Sequence, residues 1–224
     1  AVEEVFGLYL RYEARDVDQH LNNPKALDEL FENTTKRLSS MAKEEIKARW
    51  AELQKLYSSK ERMERIAADI MHDMELKPAL KGGYGNAMLV CDSIYQAYQY
   101  WNIFKSNGYR DMCAVVSSYE PTDPLLANAF TGAKKTEEEM KYQLAKEMMG
   151  TMKPEDFEEW AKNKFVKEPA KMKLLIVCDK LLTGFDAPSA TYLYLDKKVV
   201  EHTLFQAICR VNRVNGENKL FGYI

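Results

Sequence analysis

From Asn86 onward the chain alternates between short unbroken apolar runs and longer segments with helical spacing. Ala87 to Cys91 and Leu174 to Cys178 are apolar without alternation, the pattern of strands covered on both faces. Met112 to Ser117, Thr191 to Leu195 and Leu220 to Ile224 extend the series. Ser93 to Ser106 reads as a helix between the first two strands, with Gly108 placed to end it. Its aromatic residues Tyr95, Tyr98, Tyr100, Trp101 and Phe104 mostly fall where the helix must cover the sheet, so they are expected to pack there rather than to stack nucleic-acid bases. Glu120 to Thr136 is loop-like, and Glu137 to Met149 and Pro154 to Phe165 read as helices, the second with proline in its first turn. Strands alternating with helices in this way predict a parallel α/β sheet with right-handed crossovers.

The first eighty residues carry a different period. Val5 to Leu10 suggests a short strand, and three helical segments follow Pro24. Met63, Ile66, Ala67, Ile70, Met71 and Met74 form the clearest stripe, which is expected to face a core; Ser58 and Glu61 have the spacing of a capping box. A division therefore follows, with residues 1–80 a mainly helical region and 81–224 the α/β domain. Gly82-Gly83-Tyr84-Gly85 precedes a strand and lacks a Gly-Lys-Ser/Thr ending, so it reads as a flexible linker and not a phosphate-binding loop. Glu75-Leu76-Lys77 has a nuclease-like spacing but ends an amphipathic helix, where charges are expected.

Composition narrows the function classes. Apolar residues at 46% and charged residues at 29% describe a soluble globular chain able to bury a sizeable core. With 32 basic and 34 acidic residues the net charge is -2, so any nucleic-acid contact must be local and not the work of a basic surface. Cys91, Cys113, Cys178 and Cys209 have no metal-type spacing, and the first three sit in apolar runs, as reduced thiols of a cytoplasmic protein would. No stretch is long and apolar enough to be a membrane span, and no signal-peptide pattern opens the chain. Ala1 and the terminal Phe221-Gly222-Tyr223-Ile224 strand give the expectation that both ends are cut from a longer protein.

Two polar stretches carry candidate chemistry. After Leu174 to Cys178 the chain turns polar: Gly184 permits a close backbone approach, Asp186 is an acceptor-only carboxylate, and Pro188 blocks a helix. A loop leaving the carboxyl end of a buried strand is where open α/β sheets place ligands. Downstream, Gln206, Arg210 and Arg213 share one helix face, with Phe205, Ile208 and Val211 free to pack on the sheet. Guanidinium groups suit a polyphosphate because they bind oxygens bidentately; a solvated helix face is the alternative for these three residues alone.

Leu181-Leu182-Thr183-Gly184-Phe185-Asp186-Ala187-Pro188 resembles motif V of superfamily 2 helicases and translocases. Gln206-Ala207-Ile208-Cys209-Arg210-Val211-Asn212-Arg213 resembles motif VI, 20 residues on from Asp186 to Gln206. With Asp179-Lys180 before the first and His202-Thr203-Leu204 before the second, the wording is similar to the motor (R) subunit of type I restriction-modification enzymes. In that family the Ala87 strand and the helix after it correspond to motif IV, and Leu10 to Gln19 resembles a segment between the two motor lobes.

The resemblance implies an α/β fold: a RecA-like parallel sheet sandwiched by helices, the second lobe of a helicase-type motor, preceded by a mainly helical region. It implies ATP with Mg2+ as the nucleotide, the metal ligands and the Walker lysine being expected in a first lobe outside this sequence. Gly184 and Asp186 would form the nucleotide-facing loop, with Thr183 beside the DNA backbone. Arg210 and Arg213 would reach the γ-phosphate, Arg213 as the arginine finger, and Gln206 would orient its neighbours. Implied partners are double-stranded DNA, the first lobe and nuclease domain of the same full-length chain, and modification and specificity subunits. The isolated fragment is expected to be inactive. Two alternatives stand beside this one: a motor lobe of another superfamily 2 translocase, and a non-catalytic nucleic-acid-binding module of the same fold.

Overall fold

The computed structural model describes residues 9–15, 59–122, 133–178, 180–181, 185–197, 208–209, 211, 213, 219 and 221–224. The chain divides into two compact units, Ala1–Ala14 with Met71–Ile224, and Arg15–Ile70. Residues 59–76 form one helix, α1, which carries residues of both. Of the stripe read from the sequence, Met63, Ala67, Ile70 and Met74 are buried, whereas Ile66 and Met71 are partly exposed. Ser58 lies outside the described residues, and so does the capping box it would make.

The larger unit is organised on six parallel strands: β1 (Tyr9–Arg11), β2 (Asn86–Cys91), β3 (Cys113–Val116), β4 (Leu174–Val177), β5 (Ala190–Asp196) and β6 (Phe221–Tyr223). Their order across the sheet is β1-β6-β5-β2-β4-β3. β2, β3 and β4 are buried along their whole length, which is why they read as unbroken apolar runs. Helix α2 (Pro78–Gly82) leads into β2. Helix α3 (Ile94–Ser106) is capped by Ser93, whose hydroxyl accepts from the Gln96 amide at 3.1 Å. It packs on β2, β3 and β4, burying Tyr98, Tyr100, Trp101 and Phe104, so the aromatic positions are core as expected. Helices α4 (Ala133–Met149) and α5 (Pro154–Lys167) follow β3. Phe157, Ala161 and Phe165 of α5 share a buried cluster with Met88, Val90, Leu175, Val177 and Leu193.

Several boundaries differ from the sequence division at residue 80. β1 is an edge strand of the sheet, paired with β6 from Tyr9↔Phe221 to Arg11↔Tyr223, and residues 71–80 belong to the same unit. Helix α4 begins at Ala133 rather than after Thr136, and Met112 belongs to a 3-10 turn, Arg110–Met112, before β3. The glycine segment is not a flexible linker. Gly83 caps α2 at φ 71, where a Cβ would meet the Ala170 Cβ at 2.7 Å. A Cβ at Gly85 would meet the Thr191 hydroxyl at 2.5 Å. The glycines are there because the backbone packs too closely for side chains. Glu75 and Lys77 act structurally: Tyr109 donates to Glu75 at 3.3 Å, and Lys77 pairs with Glu13 at 3.4 Å.

Candidate functional site

In the connection from β4 to β5, the described residues, 178, 180–181 and 185–189, form a packed strap. Leu181, at φ 70, and Ala187 are buried in the cluster that holds α5 against the sheet, and the Phe185 ring sits 6.2 Å from that of Phe165. The strap leaves the carboxyl end of β4 and must return to the amino end of β5, because all strands of a parallel sheet start from the same side. The Ala190 amide closes a turn by donating to the Ala187 carbonyl at 3.0 Å. Asp186, one residue upstream, therefore stands beside the first residue of β5.

Arg213 arrives from the other side. Val211, in helical conformation, is fully buried in the same cluster and seats its segment directly on β6: a Cβ on Gly222 would lie 2.7 Å from the Val211 carbonyl oxygen. Two residues later the Arg213 guanidinium donates to the Asp186 carboxylate. The pair faces water, with side-chain exposure of 37% for Arg213 and 69% for Asp186. Exposed pairs of this kind contribute only about 0–1 kcal/mol. The fold does not depend on this one, and the guanidinium can exchange its partner at low cost.

Behind the pair lies Lys219, only 4% exposed. Its ammonium donates to the Pro188 carbonyl at 2.9 Å and to the Ala190 carbonyl at 2.6 Å. Burial, and to a lesser extent the neighbouring Arg213 cation, draw its pKa down from 10.5 to about 8. One carboxylate and two cations thus meet at the amino ends of β5 and β6. The sequence placed this chemistry at the carboxyl rim of the sheet, and the return path of the strap puts it on the opposite rim.

Of the residues selected from the sequence, Asp186 and Arg213 come together. Thr183, Gly184, Gln206 and Arg210 lie outside the described residues. Lys219 was not selected, because a lysine beside Asn218 in a polar stretch carries no sign of burial. Asp196 was also missed. It ends β5 as a buried carboxylate that accepts from Gln96 Nε2 and the Tyr100 hydroxyl, each at 2.6 Å. An aspartate closing the apolar run Tyr192-Leu193-Tyr194-Leu195 was the available signal.

At the carboxyl ends of β3 and β4 a cleft of about 80 Å³ is lined by Tyr98, Ser117, Tyr119, Phe157, Glu158 and Lys180, among others. Lys180 donates to Glu158 at 2.5 Å and to the Ser117 carbonyl at 3.4 Å. Burial alone would raise the Glu158 pKa, but hydrogen bonds from Lys180 and Lys162 outweigh it and hold the carboxyl below its ordinary value. Cys91, Cys113 and Cys178 are buried, and burial raises the pKa of Cys91 well above its usual value and that of Cys113 to about 12. None of the described residues forms a group of three or more His, Cys, Asp or Glu able to hold a metal ion. No described helix is long and apolar enough to cross a membrane.

A family model described as type I restriction enzyme subunit R domain 3 matches residues 83–224. The MjaIXP type I restriction enzyme endonuclease subunit of Methanocaldococcus jannaschii is 31% identical over 207 residues, which is 91% of this chain and 18% of that protein. The HindI endonuclease subunit of Haemophilus influenzae is 58% identical over 43 residues, 19% of this chain and 4% of that one. The chain thus spans less than a fifth of the length of these relatives. In fold it is similar to a fragment of an HsdR subunit of a type I restriction enzyme from Vibrio vulnificus YJ016. The TM-score there is 0.50 at 16% identity, covering 77% of this chain and 28% of the other.

Proposed function

This chain belongs to the type I restriction enzyme subunit R family, and from that membership we propose that it is the second of two motor lobes which hydrolyse ATP between them to move an R subunit along double-stranded DNA. The observation that carries the proposal is the exposed Asp186–Arg213 pair, seated on buried backbone at the amino ends of β5 and β6 with a second cation behind it. The donor set suits a polyphosphate: a planar guanidinium binds phosphate oxygens bidentately, and the local charge is net positive.

In this proposal Arg213, which lies in a bend just past the helical Val211, is the arginine finger, and Arg210 is a second guanidinium. Gly184 and Asp186 belong to the nucleotide-facing loop, Gln206 orients its neighbours, and Thr183 lies beside the DNA backbone. Asp186 holds Arg213 in place until the lobes close, and the guanidinium then neutralises charge developing on the transferred phosphoryl group. The Mg2+ ligands and the Walker lysine come from the first lobe of the same full-length chain, which also carries the nuclease domain. Modification and specificity subunits complete the enzyme, in the cytoplasm.

The test is Arg213→Ala in the full-length R subunit assembled with its partner subunits. ATP turnover is expected to fall by roughly 10³-fold or more, as for arginine fingers generally, with an unchanged melting temperature. Turnover within a few-fold of the parent protein would remove the assignment.

A further inference from the structure

Lys219 is buried at a point where burying a cation is costly. Its ammonium bridges two carbonyls separated by one residue, Pro188 O at 2.9 Å and Ala190 O at 2.6 Å. Both carbonyls belong to the segment that turns the strap into β5. Pro188 has no amide to lend to that turn, and among the described residues β6 meets β5 further along, at Tyr192↔Tyr223. At Ala190 the donor is the lysine. After burial, the charged group that lowers its pKa is Arg213, and that contribution is repulsive. Lys219 thus touches the two halves of the pair differently. It fixes the backbone that carries Asp186 and pushes on the guanidinium that Asp186 holds.

We propose that Lys219 is a positioning residue for the Asp186–Arg213 pair: by tying the Pro188 and Ala190 carbonyls it fixes Asp186 at the amino end of β5, and as a neighbouring cation it keeps the Arg213 guanidinium directed to Asp186 at the exposed rim. This inference rests on the assignment of Arg213 as the finger and adds to it a second requirement, a buried lysine that never touches the nucleotide. Loss of the ammonium lets the turn and the guanidinium drift, so it lowers the rate of the chemical step more than nucleotide affinity. Misplacement of a reacting group by about 1 Å is enough to cost about 10²-fold.

The experiment compares Lys219→Met, Lys219→Arg, Arg213→Ala and the double variant Lys219→Met/Arg213→Ala in the full-length subunit assembled with its partners and DNA. For Lys219→Met, kcat for ATP should fall by about 10- to 100-fold while KM stays within about 3-fold, and Lys219→Arg, which keeps a cationic donor, should recover most of the loss. In the Arg213→Ala background Lys219→Met should cause no further loss, since both act through one guanidinium. Three results would overturn the proposal: unchanged kcat in Lys219→Met, losses that multiply in the double variant, or a fall in kcat, affinity and melting temperature together that Lys219→Arg does not repair. A normal rate in Arg213→Ala would sink the underlying assignment and this proposal with it. An enzyme sensitive to Arg213 but not to Lys219 would sink this proposal alone.

Discussion

Asp186 and Arg213 were legible in the sequence as candidates because their chemistry is written in residue type and spacing: a carboxylate after a glycine, and a glutamine and two arginines four and three residues apart. Lys219 was not legible, because its burial comes from the strap folding back over β5, a long-range event that leaves no local trace. The same burial gives it a pH signature. Its folded pKa is about 8 against an ordinary 10.5. Between those values the unfolded chain keeps a proton that the folded chain has released, so this residue's contribution to stability rises with pH across the window. Arg213 pushes in the same direction as burial, and Asp186 is already engaged by Arg213. In the full-length protein, the melting temperature of the parent minus that of Lys219→Met should shift in favour of the parent between about pH 7.5 and about pH 9.5. A constant difference would show that the lysine keeps an ordinary pKa, and a shift the other way that its pKa is raised on folding.

At the level of elements, β2, β3 and β4 were readable as continuous apolar runs because both their faces are covered, α3 was readable from its aromatic face and Gly108, and α5 from the proline in its first turn. The strap was harder. Leu181 and Ala187 look like loop residues, and only their place in the core cluster shows that the described part of this connection packs on the sheet. The Gly82 to Gly85 segment misled for a related reason, since glycine marks close packing as readily as freedom, and here Ala170, Thr191 and Ala79 leave no room for a Cβ. β1 was placed with the helical region because nothing local reveals that Tyr9–Arg11 pairs with a strand more than two hundred residues later. Gly222 links packing to the site. Gly222→Ala would drive a Cβ into the Val211 carbonyl, 2.7 Å away, and shift the segment that carries Arg213. It should destabilise the protein by about 1–3 kcal/mol, as overpacking does, and reduce ATP turnover as well. A variant that melts and turns over like the parent would mean that the contact relaxes without moving Arg213.

For the whole molecule, the proposed motor makes the pair half of an arrangement whose other half lies in a first lobe. In that proposal Arg213 and Asp186 offer charge to a nucleotide, and the Walker lysine and the Mg2+ ligands belong to the first lobe. The purified 224-residue chain should therefore show no ATP turnover above a no-enzyme control, and robust hydrolysis by it would contradict the division of labour between lobes. The central claim is that the rim formed by the amino ends of β5 and β6 faces the nucleotide. It is tested most directly by a structure of the full-length subunit with a non-hydrolysable ATP analogue bound. The prediction is that the Arg213 guanidinium has left Asp186 and lies within about 2.7–3.2 Å of an oxygen on the terminal phosphate. An analogue bound well away from this rim, with Arg213 still paired to Asp186, would contradict it.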